Sequence, residues 1–352
     1  MKWLYRLHLW VALSLGAVFV LLGLTGSLLV YQSTLDRWLN PELLQAEAPA
    51  EKRVTAADAL ETVEARTTDE EVVSFLSLPG AHPAVYRFYI GTPERSFDRL
   101  VTVDPASGEL MGVRPVGKGL MRFVHVLHFR LHLGRSGQTL IGFTGLILLF
   151  SMISGGVLWW RRRGYRLRQV PLHHGFGVYA GLPLGVVVIT GILLALPQYT
   201  RPAVEWFSPL SGLDLDHQSQ VDETSKDIGL EQALRLARED MPGGEIRSVG
   251  LPREPEGIYR LTLREATPSG WLAGSGRVVL DRYSGEVLAQ QHWSEQSGGD
   301  RFMSALRGIH GGSAFGAWGQ AVVALLGLVP LLLYVTGLRL WLRRRTRQQQ
   351  TP

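Results

Sequence analysis

Four apolar runs punctuate the chain, at about 7–31, 139–160, 178–196 and 319–342, and none contains an Asp or Glu. Each is close to the roughly 20 residues that cross a bilayer as a helix. Long polar stretches separate the first run from the second and the third from the fourth. Within these, 56–65 and 230–239 carry the period of short amphipathic helices. Alternating runs follow each helix: 72–78, 86–90 and 100–103 in the first stretch, and 245–251, 259–263 and 277–280 in the second. These read as strands of two small α+β domains. Each set closes on a turn, Asp104-Pro-Ala-Ser-Gly-Glu109 and Asp281-Arg-Tyr-Ser-Gly-Glu286. There the Asp side chain binds local backbone and Gly accepts a positive φ. The segments around 36–51 and 200–226 are polar, irregular connectors.

The pattern is a duplication. LHLWVALSLGAVFVLLGLTGSLL, beginning at Leu7, lies without a gap over LHHGFGVYAGLPLGVVVITGILL, beginning at Leu172. His8 falls on His173, Gly16 on Gly181, and Thr25-Gly26 on Thr190-Gly191. A second ungapped match places His128 on His310, Gly137-Gln138 on Gly319-Gln320, Gly155 on Gly337 and Trp159 on Trp341. Each half is therefore a span, an outer domain and a second span. Both copies enter the membrane in the same direction, so the four helices are expected to form a parallel two-fold repeat about the membrane normal.

Charge supplies the orientation. Lys2 and Arg6 precede the first run, Arg161, Arg162, Arg163, Arg166 and Arg168 fill the second connection, and Arg339, Arg343, Arg344, Arg345 and Arg347 close the fourth. No acidic residue stands beside them, so these segments are expected in the cytoplasm. The formal net charge of +5 then reports topology and leaves the outer segments net acidic; it is no footprint for nucleic acid. The first run exceeds a signal-peptide core, lacks a small-x-small cleavage site and is copied by the third run, so it is expected to be retained. There is no cysteine, which excludes disulfides, thiolate metal sites and covalent c-type haem.

Two histidines per half, one at either end of its membrane part, become two symmetry-related pairs. Equivalent residues face each other across a two-fold axis, so His8 would meet His173 at the cytoplasmic side and His128 would meet His310 at the outer side. Ionisable groups at spans are costly and functional by default, and neutral imidazole is the usual ligand of b-type haem iron. The expected cofactor is haem b, two per chain, with His8, His173, His128 and His310 as iron ligands and no residue in acid–base or nucleophilic catalysis. His125 and His132 share a helical face with His128, and His132 is kept as a fallback outer ligand. His82, His217 and His292 are expected at the surface. The clustered Trp3, Trp10, Trp159, Trp160 and Trp341 form an interfacial aromatic belt.

With these residues in hand, the chain resembles the PepSY-associated transmembrane-helix family of bacterial inner-membrane proteins, which includes ferric-siderophore reductases. The resemblance rests on Leu7-His8 with Gly23-x-Thr25-Gly26, the Asp104-Pro-x-Ser-Gly-Glu109 turn, Leu127-His128 with Gly134-x-x-Gly137, His173-x-x-x-Gly177 with Thr190-Gly191, and His310 with Thr336-Gly337. Arg282 stands where the second turn usually has Pro. The family implies a haem-bearing multi-pass reductase of the inner membrane, its PepSY-like domains periplasmic. The chain is then expected to divide into a transmembrane helix at 1–32, a PepSY-like domain at 33–120, a helix with a periplasmic extension at 121–163, and a third helix at 164–198. A second PepSY-like domain at 199–300, a fourth helix with its extension at 301–345 and a cytoplasmic tail at 346–352 complete it.

Three functions compete. The leading one is a di-haem conduit, fed by a cytoplasmic or quinol donor, that reduces a periplasmic ferric chelate or siderophore and releases Fe(II). The second is a periplasmic binding or regulatory module, which has no need of four repeated histidines. A transporter comes third, because the spans lack charges facing a pathway.

Overall fold

The computed structural model describes residues 2–46, 54–80, 85–92, 95, 97–161, 172–211, 217–221, 225–266 and 274–350, with side chains to 346. His82 and the cations Arg162, Arg163, Arg166 and Arg168 lie outside the described residues.

In chain order the elements are α1 (Lys2–Val30), α2 (Gln32–Leu39), α3 (Pro41–Leu44), α4 (Ala56–Glu64), β1 (Val72–Ser77), β2 (Tyr86–Gly91), β3 (Arg99–Val103) and β4 (Leu110–Pro115). Then come α5 (Leu120–Arg130), α6 (Gly134–Trp160), α7 (Leu172–Tyr179), α8 (Gly181–Ala195), α9 (Pro197–Glu205) and α10 (Gly229–Asp240). The second half ends with β5 (Glu245–Gly250), β6 (Tyr259–Glu265), β7 (Gly274–Leu280), β8 (Val287–Gln291), α11 (Gly298–His310), α12 (Gly316–Leu326) and α13 (Val329–Gln350). They form two compact units, one helical and one built on a sheet.

In the helical unit, Lys2–Val30, Gly134–Trp160 and Ser313–Thr346 are long and apolar enough to cross a membrane. The expected third span is present as α7 and α8, bent by 59° between Tyr179 and Gly181, and makes a fourth crossing if the bent pair is one span. Pro183 accounts for the bend: it lacks an N–H and its ring crowds the carbonyl four residues earlier, at Tyr179. Leu21, Leu24, Phe143, Ile147 and Val322 are exposed, as suits helices whose outer surface meets lipid. Association in lipid depends on close packing and interhelical hydrogen bonds, and small residues supply both. A Cβ on Gly23 would strike the Gly327 carbonyl, and one on Gly16 would strike the Tyr334 ring. Ser27 Oγ donates to the Ala324 carbonyl at 2.7 Å. Gly142 and Gly145 of α6 lie against Leu196 and Ile192.

The sheet unit holds eight strands in the order β4-β3-β2-β1-β5-β6-β7-β8. Each half contributes a four-stranded antiparallel meander, and β1 pairs antiparallel with β5 to join them. The two expected small domains therefore share one sheet. Inward side chains of both meanders (Leu76, Phe88, Val103, Val249, Leu263 and Leu280) form one core with Ala59 and Val63 of α4 and Ala233 and Leu234 of α10. Thr55 and Asp58 make a reciprocal capping box that starts α4.

The two turns form as their residues predict. Asp104 Oδ1 accepts from the amides of Ala106 at 2.6 Å and Ser107 at 3.1 Å, with Gly108 at φ 76°. Asp281 Oδ1 accepts from Tyr283 and Ser284, both at 2.8 Å, with Gly285 at φ 73°. The Arg282 departure also has a structural reason. Its amide donates to Ser219 Oγ at 2.7 Å, which a proline could not do, and its Nε donates to Asp227 at 2.8 Å.

Candidate functional site

All four candidate histidines belong to the helical unit, and each meets the same local arrangement on another helix. His8 Nδ1 lies 3.0 Å from Ser154 Oγ, and a Cβ on Gly155 would lie 3.2 Å from His8 Cε1. His128 Nδ1 lies 2.9 Å from Thr25 Oγ1, and a Cβ on Gly26 would lie 3.1 Å from His128 Cε1. His173 Nδ1 donates to the Leu333 carbonyl at 3.0 Å and lies 3.3 Å from Thr336 Oγ1, with Gly337 beneath the ring. His310 Nδ1 donates to the Val187 carbonyl at 2.9 Å and lies 3.3 Å from Thr190 Oγ1, with Gly191 beneath the ring. The recurring feature is a hydroxyl followed by a glycine: the hydroxyl engages Nδ1 and the missing side chain admits the ring.

His128 and His310 reach these places because the chain reverses next to them. After α5, Leu131 and His132 take φ of 48° and 57°, and Gly134 takes 61°. Left-handed backbone at non-glycine residues is uncommon and costs energy. Gly137 passes so close beneath the Arg130 carbonyl that any Cβ would collide with it, and Gly319 does the same beneath the Gly312 carbonyl in the second copy. Only glycine permits this close approach, and with it α5 and α11 carry His128 and His310 to α1 and α8.

His128 and His310 face each other, with ring centroids 6.3 Å apart and planes inclined by 47°. Two imidazoles this close could both serve one metal ion as ligands. Among the described residues no group of three or more His, Asp or Glu converges as a metal site; the imidazoles brought together are those of His128 and His310.

Protonation suits ligation. Burial pushes His128 down to about 4, with repulsion from His310 adding to it, and burial likewise lowers His310. Burial thus favours the neutral form of both imidazoles, with Nδ1 committed to the protein. Among the described residues no hydrogen bond reaches Nε2 of any of the four. The donor set fits a haem that His128 and His310 would hold through Nε2, and without cysteine such a haem would not be covalently attached.

His132 is placed elsewhere. It is exposed, its ring lies 4.5 Å from that of Phe123, and its Nε2 is 3.1 Å from the Phe123 carbonyl. His125 stacks on Phe129 at 4.8 Å. In the sheet unit, His292 Nδ1 lies 3.4 Å from Glu265.

Sequence reasoning missed the partners Thr25, Ser154, Thr190 and Thr336. A signal was present, since Thr25-Gly26 aligns with Thr190-Gly191 and Gly155 with Gly337, but the alignment alone does not say which histidine each would meet.

No curated protein is found to match the chain. The family described as PepSY-associated TM region matches residues 5–344. A match of that extent, with apolar helices and a separate sheet domain, shows that the chain belongs to the PepSY-associated transmembrane family of membrane proteins.

Proposed function

We propose that this protein is a di-haem oxidoreductase of the bacterial inner membrane that passes electrons to a ferric chelate, of the siderophore type, in the periplasm. The observation that carries this reading is the fourfold recurrence of a histidine whose Nδ1 is bound to another helix, two of them facing at 6.3 Å. In this reading His8 and His173 hold one haem b near the cytoplasmic face, and His128 and His310 hold a second near the outer face. The span α1, the span α6, the bent pair α7–α8 and the span α12–α13 act as four crossings in a parallel repeat. The cation-rich ends are cytoplasmic and the sheet domain periplasmic.

Bound haem supplies one-electron chemistry. In this reading His8 with His173 and His128 with His310 would each hold one haem through Nε2, and two imidazole ligands would favour electron transfer over binding of a small molecule. Along α1 the 1.5 Å rise per residue puts His8 and Thr25 about 25 Å apart, so the two ends belong to different centres. Fe(III) prefers hard oxygen donors, and one electron delivered from the outer centre converts it to Fe(II), which such a chelator holds poorly. No general acid or base is needed. The donor is a cytoplasmic protein or membrane quinol.

The test is anaerobic mixing of the chemically reduced, purified protein with a ferric hydroxamate. Reduced haem bands should decay as Fe(II) appears in equal amount. Bands that persist while the chelate stays ferric would contradict the reductase reading.

A further inference from the structure

The hydroxyl groups against the histidines have their own protons committed. Thr25 Oγ1 donates to the Leu21 carbonyl at 2.7 Å, Thr190 Oγ1 to the Val186 carbonyl at 2.8 Å, and Ser154 Oγ to the Ser151 carbonyl at 2.9 Å. Thr336 Oγ1 likewise donates to the Leu332 carbonyl. A hydroxyl that has spent its proton on its own helix has only lone pairs to offer, so it accepts from the imidazole. At His173 and His310 a backbone carbonyl, which can only accept, makes the same demand. All four rings must then carry their proton on Nδ1, which leaves the Nε2 lone pair free.

We propose that Thr25, Ser154, Thr190 and Thr336 are positioning residues that fix the four histidines as Nδ1–H tautomers and set the electron-donating strength of Nε2. The seats are exchanged within each half. α1 carries His8 and seats His128, while α6 seats His8 on Ser154-Gly155. In the second half α8 seats His310 and α13 seats His173. The glycine after each hydroxyl keeps the ring within reach. At Gly191 the tolerance is least, since a Cβ would approach His310 Cε1 to 2.8 Å.

This inference rests on the haem reading and extends it. An acceptor on Nδ1–H makes Nε2 more basic, which strengthens its bond to iron and favours the ferric state. Loss of such a partner typically weakens metal affinity 10–100-fold, and it should raise the potential of the haem concerned.

The experiment compares the full-length wild type with Thr25→Val, Thr25→Ser and Thr190→Val by haem quantitation and potentiometric titration of the visible spectrum. Both valine variants should weaken binding of the same haem by 10–100-fold and shift its potential upward, leaving the other haem unchanged. Thr25→Ser should restore wild-type behaviour. Thr25→Ala, which asks less of the surrounding packing, serves if the valine variant does not fold. Valine variants with wild-type occupancy and potentials at both haems would overturn the positioning role while leaving the reductase reading intact. A wild type without haem would overturn the reductase reading itself.

Discussion

Leu76 of β1 and Val249 of β5 pair directly across the junction of the two meanders, and neither has any exposed surface. They are corresponding positions of the two copies, so the pseudo-twofold of the sheet passes between them. The junction has few ladder positions, namely Phe75 with Gly250, Leu76 with Val249 and Ser77 with Ser248, so these side chains tie the two halves into one core. Leu76→Ala should cost about 2–5 kcal/mol, as large-to-small changes in a packed core do. Thermal unfolding followed by tryptophan fluorescence measures it. A loss well under 1 kcal/mol would mean that the halves are stable apart.

Much of this sheet was legible in the sequence. The six alternating runs correspond to β1–β3 and β5–β7, and the amphipathic segments correspond to α4 and α10. β4 and β8 were not legible, because edge strands are covered less regularly and their alternation is faint: none of Leu110, Met111, Gly112 and Val113 is fully buried. The β1–β5 junction joins residues far apart in the chain and leaves no local trace. At the membrane part, duplication singled out the four histidines, and the apolar runs correspond to the long apolar helices and the bent pair. It did not disclose the bend at Ala180, although Pro183 gives its cause, nor which hydroxyl meets which histidine.

Asp281 should matter more than Asp104. Asp281 is buried, and its carboxylate accepts from the amides of Gln220, Tyr283 and Ser284. Burial alone would raise its pKa, but these bonds hold it below the ordinary 3.8. A carboxylate lowered in the folded state stabilises above its unfolded pKa and loses that contribution as pH falls through the folded value. Asp281→Asn should therefore cost about 1–3 kcal/mol at pH 7 and flatten the acid side of the stability curve. Asp104→Asn should cost less. Melting temperatures of both variants between pH 7 and 3 decide it, and equal losses would contradict the account.

Gly191 and Gly177 form a matched pair of glycine tests. A Cβ on Gly191 would press on His310 Cε1 at 2.8 Å, whereas one on Gly177 would meet Leu333 at an ordinary 3.8 Å. Gly191→Val should remove or weaken the outer haem, and Gly177→Ala should keep both. The low-spin bands of purified protein report the result. Full occupancy in Gly191→Val would show that the ring does not sit where its hydrogen bonds place it.

Ligand variants should separate into two groups. His8→Ala and His173→Ala should each remove about half of the low-spin signal and abolish electron entry, while the remaining haem stays reducible by dithionite. His128→Ala and His310→Ala should remove the other half, because each deletes one of the two imidazoles that would hold that haem. His132→Ala should keep both haems. If His132→Ala instead mimicked His310→Ala while His128→Ala kept both haems, the outer ligand would be His132.

The central claim is two bis-histidine haems per chain, and the most direct test is pyridine haemochrome quantitation of the purified protein, paired with its reduced-minus-oxidised spectrum. Haem b is expected at a ratio near two per chain, with sharp low-spin bands on reduction. A ratio near zero from haem-sufficient cells would contradict it and leave the paired histidines as structural contacts of a membrane-anchored binding module.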